Sequence, residues 1–399
     1  MLTNSIFERD ARIRRYSDYL AADGHFVDVI CLASESGEDQ SRHPHVRVFP
    51  LPYTRRRREG FGLMLDWLGI AANMFLSLTR LEIRQPYDVV HVHNMPDFLV
   101  FCALAPRLRG CPVLLNVHDP VPELTRSKMD FSQRHPLVRA QCFIEAISAG
   151  FSTHVITATP YFKKILESRG VPASKITVII NASDQRFFRP DSEPGPVREK
   201  AMFTLLYVGT VAVRYGLEVC VRALKRIRER IPGIRFKIIP KIREEGVGLE
   251  NCLRVAREIG VADLIEVGAP APLEEMPGMM KRADVGIYPA LPDCHMNVAL
   301  SLKIPEMAAV GLPILASRLA VLEDLFGDDA IAFVPPGDPE AFADKVVELW
   351  ERPELMERLA ANARVKAAAL SWEHQYPLYR ELLESILGRK LTAPSGTNS

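Results

Sequence analysis

The chain reads as an α/β protein built from two doubly wound, Rossmann-like domains facing a central cleft. Three observations predict this. At 399 residues it is too long for one ordinary core, and two domains is the natural division. Short apolar runs alternate with longer segments of helical period in both halves, the pattern of parallel sheets covered by helices on both faces. A polar stretch bearing Pro and Gly, residues 192–200 (SEPGPVREK), separates the halves as a linker. Composition agrees: 25% charged and 48% hydrophobic residues suit a folded soluble chain. The net charge of +1 offers no global attraction to nucleic acid, so none is expected as a partner. Seven cysteines, without a CxxC pair or metal-like spacing, read as reduced thiols of a cytoplasmic protein. Residues 1–15 are charged and lack the apolar core of a secretory leader. The longest apolar stretch, 61–78, is interrupted by Asp66 and Asn73 and reads as a buried or interfacial helix, not a membrane span.

In the first domain, residues 1–191, a helix is expected over 6–22, where Ile13, Tyr16, Tyr19 and Leu20 share a face and Gly24 stops it. Strands follow at 26–32 and 46–50, a long helix at 61–84, a strand at 87–93, a helix at 98–108 and a strand at 112–118. A helix at 136–150 and strands at 154–157 and 177–180 complete the set. Ligands in such a fold bind at the carboxyl ends of the strands. His91 and His93 end one strand; His118, Asp119 and Glu123 follow another. Two strand ends that both deliver histidine would meet at one cleft, suited to orienting a hydroxyl or hydrogen-bonding a sugar. The plainer reading makes the histidines core residues and lets Asp119 and Glu123 cap the loop and the helix after it. Arg55, Arg56, Arg57 and Arg58 precede the apolar helix. They are either solvated surface or a contact for anionic lipid, with Phe61, Leu63, Leu65 and Trp67 inserting at the interface.

In the second domain, residues 201–370, a strand at 203–208 ends at Gly209 and Thr210. A loop with Arg214 and Gly216 and a helix at 217–230 follow. Strand, glycine loop and helix make phosphate-cradling architecture, although neither standard glycine fingerprint is present. A strand at 235–240 runs to Lys241, then come a helix at 250–259, a strand at 265–267 and a helix at 273–282. Residues 283–289 form a strand, and a short helix at 302–310 is stopped by Gly311 and Pro313 before another strand at 313–317. Lys303 and Glu306 stand near the start of that helix. A helix N-terminus with a cation suits a phosphate, and a carboxylate one turn on suits a ribose or sugar hydroxyl. A strand at 331–334, helix over most of 339–369 and a last helix at 372–387 follow. Residues 371–390 are expected to cross back to the first domain, and 391–399 to form an unstructured tail. No hydrolase elbow and no Asp-x-Asp occurs. A diphosphate leaving group would then be stabilised by Arg, Lys, amides and a helix dipole, with no metal or cofactor expected.

Together these segments resemble the family 4 glycosyltransferases of GT-B fold. His118-Asp119 with Glu123 is similar to the HD…PE segment of bacterial polysaccharide members. Asn181, Asp184 and Phe187 resemble the exit from the first domain, and Gly209 with Arg214-Tyr215-Gly216 the glycine loop. Lys303, Glu306, Ala308, Gly311 and Pro313 resemble K-x-x-E-x-x-A-x-G-x-P, and Ser371-Trp372-Glu373 the terminal S-W-E. The resemblance covers nearly the whole chain. It implies retaining transfer of a sugar from a nucleotide-diphosphate-sugar donor; the acceptor is read as a glycan or lipid-linked glycan, met in the cytoplasm or at the inner face of the cytoplasmic membrane. His118 and Glu306 are the implied catalytic residues, His118 near the transferred sugar and Glu306 on the ribose. Gly209, Thr210, Arg214, Lys241, Asn297, Ser301 and Lys303 are the donor-binding candidates, and His93, Asp119 and Glu123 the acceptor-side ones. Asp10 and Arg12 match a D-x-R pattern read as structural. Two departures stand out. The family's first carboxylate of Glu-x₇-Glu falls on Val298, which leaves Asn297, His295 or backbone amides alone to take its place. Of the usual first strand only residues 1–3 remain, so the native protein is expected to begin upstream. The rival readings are a catalytically weak nucleotide-sugar-binding or scaffold protein and, against the S-W-E and K-x-x-E segments, a sugar-nucleotide epimerase.

Overall fold

The computed structural model describes residues 1–34, 43–53, 61–189, 202–240 and 247–391. It divides into two compact units, Met1–Asn181 with Gln375–Ser399, and Ala182–His374. The linker at 192–200, Lys241, the arginines at 55–58 and residues 392–399 lie outside the described residues.

In the first unit, seven strands form one wholly parallel sheet: β1 (Leu2–Ile6), β2 (Val27–Leu32), β3 (Val46–Leu51), β4 (Val90–His93), β5 (Val113–Val117), β6 (His154–Thr157) and β7 (Ile176–Val178). Their order is β3-β2-β1-β4-β5-β6-β7. Leu2, Val92, Leu115 and Val155 are fully buried, as expected where helices cover both faces. The covering helices are α1 (Ala11–Ala22), α2 (Phe61–Arg84), α3 (Leu104–Leu108), α4 (Val121–Met129), α5 (Pro136–Phe151) and α6 (Pro160–Ser168).

The amino-terminal segment differs from expectation. β1 runs through Ile6 and pairs with both β2 and β4, so the central strand is in place. The helix starts only at Ala11, because the Asp10 carboxylate accepts the N–H groups of Arg12 and Ile13 at 3.1 and 3.4 Å and caps it there. The helix expected over 98–108 is a 3₁₀ segment, Asp97–Ala103, followed by the short α3.

The second unit has a six-stranded parallel sheet: β8 (Phe203–Gly209), β9 (Ile234–Pro240), β10 (Ile265–Val267), β11 (Val285–Tyr288), β12 (Ile314–Ser317) and β13 (Ala332–Val334), ordered β10-β9-β8-β11-β12-β13. Its helices are α7 (Leu217–Arg230), α8 (Val247–Glu258), α9 (Met276–Lys281), α10 (Lys303–Ala309), α11 (Ala320–Phe326), α12 (Pro339–Glu351) and α13 (Pro353–Ala369). A last helix, α14 (Trp372–Leu387), belongs to the first unit from Gln375 onward. There the Tyr376 hydroxyl donates to Asp23 at 2.6 Å, and the Gln375 side chain accepts the Ile180 N–H at 2.9 Å.

Each sheet runs outward in both directions from its first strand, which creates a switch point between β1 and β4 and another between β8 and β11. Crevices at the carboxyl ends of such strand pairs are where this architecture binds ligands. The first switch point presents the residues after Ile6 and His93; the second presents Gly209, Thr210 and the segment after Tyr288.

Candidate active site

At the second switch point β8 ends on Gly209, whose φ of 144° lies where side chains rarely go. Tyr207 lies buried beneath and donates its hydroxyl to the Thr210 carbonyl at 2.6 Å, pinning the turn. A 3₁₀ turn over Val213–Tyr215 carries Arg214, and Gly216, at φ 66°, leads into α7. A β-carbon on Gly216 would stand 2.0 Å from the Pro289 carbonyl oxygen, so the site needs glycine for space as well as conformation. The Arg214 carbonyl accepts the Leu291 N–H at 2.8 Å. The glycine loop and the segment after β11 are thus held together.

The Arg214 guanidinium lies 5.3 Å from the Tyr215 ring centre, and its Nε and Nη1 are buried without a hydrogen-bond partner. Such donors are costly to leave unmet and favour an anion beside them. Lys303 is placed differently: its ammonium sits 2.7 Å from the Glu306 carboxylate, so its charge is already matched. Glu306 is only 4% exposed. α10 has seven residues, so little macrodipole stands behind the phosphate role expected of its N-terminus. Of the two expected diphosphate cations, Arg214 is the one with unmet donors.

Tyr288, at the end of β11, is buried; burial pushes its hydroxyl up, and that hydroxyl hydrogen-bonds Ser301. Asp293 accepts the N–H groups of His295 and Met296, both at 2.7 Å, which folds the chain back toward Asn297. The Asn297 carbonyl accepts the Val321 N–H at 3.1 Å. Val298 follows in the same turn. Among the described residues, no group of three or more His, Cys, Asp or Glu is placed to hold a metal ion.

At the first switch point, His118 and Asp119 follow β5. Burial, aided by the nearby Arg12 charge, lowers His118 to about 3, so its ring is neutral at physiological pH. Its Nδ1 is buried and has no partner. Asp10 and Arg12, read from the sequence as structural, lie close enough to interact electrostatically with His118. Burial opposes the Asp10 charge, but Arg12 and the Ser5 hydroxyl hold the carboxyl down at about 2. Asn94 was missed by sequence reasoning; its side chain accepts the His118 N–H at 3.1 Å and donates to the Asp119 carbonyl at 2.8 Å.

The other two acceptor-side candidates lie in the interior. His93 is 2% exposed and stacked on His91 at 4.1 Å between ring centres; burial holds it well below the usual histidine range. Glu123 is 5% exposed and ion-paired with Arg169, which also binds Glu145 at 2.7 Å. Aromatic packing holds the first side chain, which lies close enough to His118 to interact with it electrostatically, and an ion pair holds the second.

The glycosyl transferase 4-like domain family matches residues 10–182, and the glycosyl transferases group 1 family matches residues 202–352. The chain belongs to the family 4 glycosyltransferases of GT-B fold. Similar relatives of this glycosyltransferase include the D-inositol 3-phosphate glycosyltransferase of Thermomonospora curvata. It is 25% identical over 324 residues, which are 77% of this chain and 72% of that protein. The enzyme of the same description from Corynebacterium jeikeium is 24% identical over 390 residues, 94% of this chain and 90% of that one. Among solved structures, sucrose-phosphate synthase (tll1590) from Thermosynechococcus elongatus aligns with a TM-score of 0.75 at 18% identity, covering 96% of this chain and 98% of that one. Anabaena Alr3699/HepE in complex with UDP and glucose aligns at 0.73 and 16%, with coverage of 96% and 98%. At these identities the structural likeness establishes the fold.

Proposed function

We propose that this glycosyltransferase moves a sugar from a nucleotide-diphosphate-sugar donor to a hydroxyl of a glycan or lipid-linked glycan, with retention at the anomeric carbon and no metal on the diphosphate. The observation that carries the reading is Arg214: two buried guanidinium donors without partners, on a glycine loop locked to the segment that leads to Glu306. Arg214 binds the diphosphate, with Lys241 as a second cation and the amides of Gly209 and Thr210 beside it. Glu306, oriented by Lys303, accepts from the ribose hydroxyls, while Ser301 and Asn297 line the donor side. His118, neutral and with an open ring nitrogen, hydrogen-bonds the transferred sugar, and Asp119 faces the acceptor. The bond from the anomeric carbon to the diphosphate breaks, the bond to the acceptor oxygen forms on the same face, and the hydroxyl proton leaves with the diphosphate. Anabaena HepE, solved with UDP and with UDP-glucose, supports the donor class.

Val298 favours one second reading, a binding protein of the same fold with little turnover, because a carboxylate of the resembled motif is missing there. A donor screen reading released nucleotide diphosphate separates the two. Its acceptor arms are a glycan, a lipid-linked glycan and a phosphorylated cyclitol, the last chosen from the relatives' name, each with and without EDTA. Release that requires an acceptor, survives EDTA and yields a product of unchanged anomeric configuration by NMR supports the transferase. Saturable donor binding without release supports the binding protein, and loss with EDTA overturns metal independence.

The same reading places the enzyme at the inner face of the cytoplasmic membrane, on an anionic surface. Met64, Leu65, Leu68, Leu76 and Ile83 of α2 are exposed. Trp67 turns inward and packs against Phe98, contrary to the expectation that it inserts. The side chains of Phe61 and Leu63, like the four arginines, lie outside those described. No described helix is long and apolar enough to cross a membrane. Leu68→Glu with Leu76→Glu is expected to abolish sedimentation with phosphatidylserine vesicles; equal sedimentation of this variant and wild type would remove α2 from the interface.

A further inference from the structure

We propose that Asn94 is a positioning residue of the transfer reaction, holding the His118–Asp119 turn so that the His118 ring is presented to the transferred sugar. The inference rests on the function proposed above and concerns a residue for which neither the sequence motifs nor the fold supplies a role.

β4 and β5 are parallel neighbours in register His93 to Asn116. Their backbone ladder continues one step past β4, where the Asn94 N–H donates to the Asn116 carbonyl at 3.0 Å. Beyond that step the Asn94 side chain takes over. Its Oδ1 accepts the His118 N–H at 3.1 Å, and its Nδ2 donates to the Asp119 carbonyl at 2.8 Å. One amide therefore grips the peptide group that enters His118 and the one that leaves Asp119, bracketing the two-residue turn from both ends. The remaining Nδ2 hydrogen goes to Asp97 Oδ1 at 2.9 Å. Asp97 and the Asp119 carbonyl are both acceptors, so the amide is settled with its oxygen toward His118.

Asn94 is 3% exposed and Asp97 2%, and the Asn94 side chain uses its oxygen and both amide hydrogens in these contacts. Among the described residues Nδ1 of the His118 ring has no hydrogen-bond partner, so the backbone that Asn94 fixes carries much of the ring's placement. A ring that must meet one sugar hydroxyl tolerates little misplacement, since a shift of about 1 Å costs on the order of 100-fold in rate.

The test is a double-mutant cycle on the full chain, with the His118 amide followed by hydrogen exchange. Asn94→Ala is expected to lower kcat by about 10- to 100-fold with little change in KM for the donor, and to deprotect the His118 amide. In a His118→Ala background the same substitution should cost no further rate, because the ring it positions is gone. Asn94→Ser keeps one short hydroxyl beside the turn and adds no charge next to Asp97; it should retain part of the amide protection and fall between wild type and Asn94→Ala in kcat, and it carries the test if the alanine variant does not fold. An unchanged kcat, a loss that multiplies undiminished in the His118→Ala background, or a His118 amide that stays protected in Asn94→Ala overturns the proposal. A wild type that binds donor but never transfers overturns the transfer reading instead, a result distinct from an active wild type indifferent to Asn94.

Discussion

Arg214 and Lys303 show how two cations on one switch point come to play different parts. Lys303 has its carboxylate within 2.7 Å, and its removal would strand the buried Glu306. Arg214 lies against the Tyr215 face and its carbonyl holds Leu291; two of its nitrogens are buried and, among the described residues, unmet. Unmet donors oppose folding and favour an anion, so function and stability should respond in opposite directions when they are removed. Arg214→Ala is expected to lower kcat/KM by about 10²–10³ and to leave the melting temperature of the free protein unchanged or higher. Added nucleoside diphosphate should raise the wild-type melting temperature and not that of the variant, because only a state that binds the ligand is stabilised by it. A variant that melts lower yet keeps its rate and its ligand-induced shift would show that Arg214 braces the loop and leaves the diphosphate alone.

α10 owes its position to what β11 lacks. A β-carbon on Gly286 would lie 2.2 Å from Met307 Sδ and 2.9 Å from Leu312 Cδ2, so helix and strand are already at contact. Gly286→Ala forces the methionine side chain or the helix outward. Overpacking of this kind costs about 1–3 kcal/mol, and here the displaced helix carries Glu306 one residue before Met307. The expected result is a lower urea midpoint together with a raised KM for the donor; a normal KM in a destabilised variant would mean that Met307 alone gives way. Elements were legible in the sequence where one local signal sufficed. β6, α7 and α14 have the bounds that their apolar spacing predicts. α6 was missed although Thr159 caps it through the Phe162 N–H at 3.1 Å and Pro160 opens it, because its apolar face spans only nine residues. α11, seven residues long with no side-chain cap, carries no such signal. Arg214 and Glu306 stood out as candidates already in the sequence, one in the glycine loop and one on the short helix before Gly311. Asn94 did not, since its partners in the His118–Asp119 turn lie 24 and 25 residues away and meet it only through the pairing of β4 with β5.

For the molecule as a whole, a formal net charge of +1 conceals titrating groups driven in opposite directions inside the first unit. Burial lowers His91 and His118 to about 3 and His93 well below the usual range. In the unfolded chain each takes up a proton near 6.5. The three imidazoles therefore contribute stability above that pH, and lose it progressively as pH falls toward their folded values. Burial also raises Asp97 to about 6 and Glu145 to about 7, so between pH 5 and 6 these carboxyls hold protons that the unfolded chain has released. Their contribution runs the other way and strengthens as pH falls. The three imidazoles outweigh the two carboxyls, and His25 and His154, also lowered by burial, add to proton uptake on unfolding, so stability should fall on acidification by on the order of 1–2 kcal/mol per pH unit. Urea unfolding at pH 6 and pH 5, followed by pulsed hydrogen exchange in β4 and β5, measures it. Glu145→Gln removes one opposing carboxyl and should steepen the slope. A midpoint that rises on acidification would mean that the histidines around β4 are not held neutral by burial and that His118 enters the reaction as a titrating group; a slope indifferent to Glu145→Gln would mean that Arg169 keeps the Glu145 carboxyl ionised.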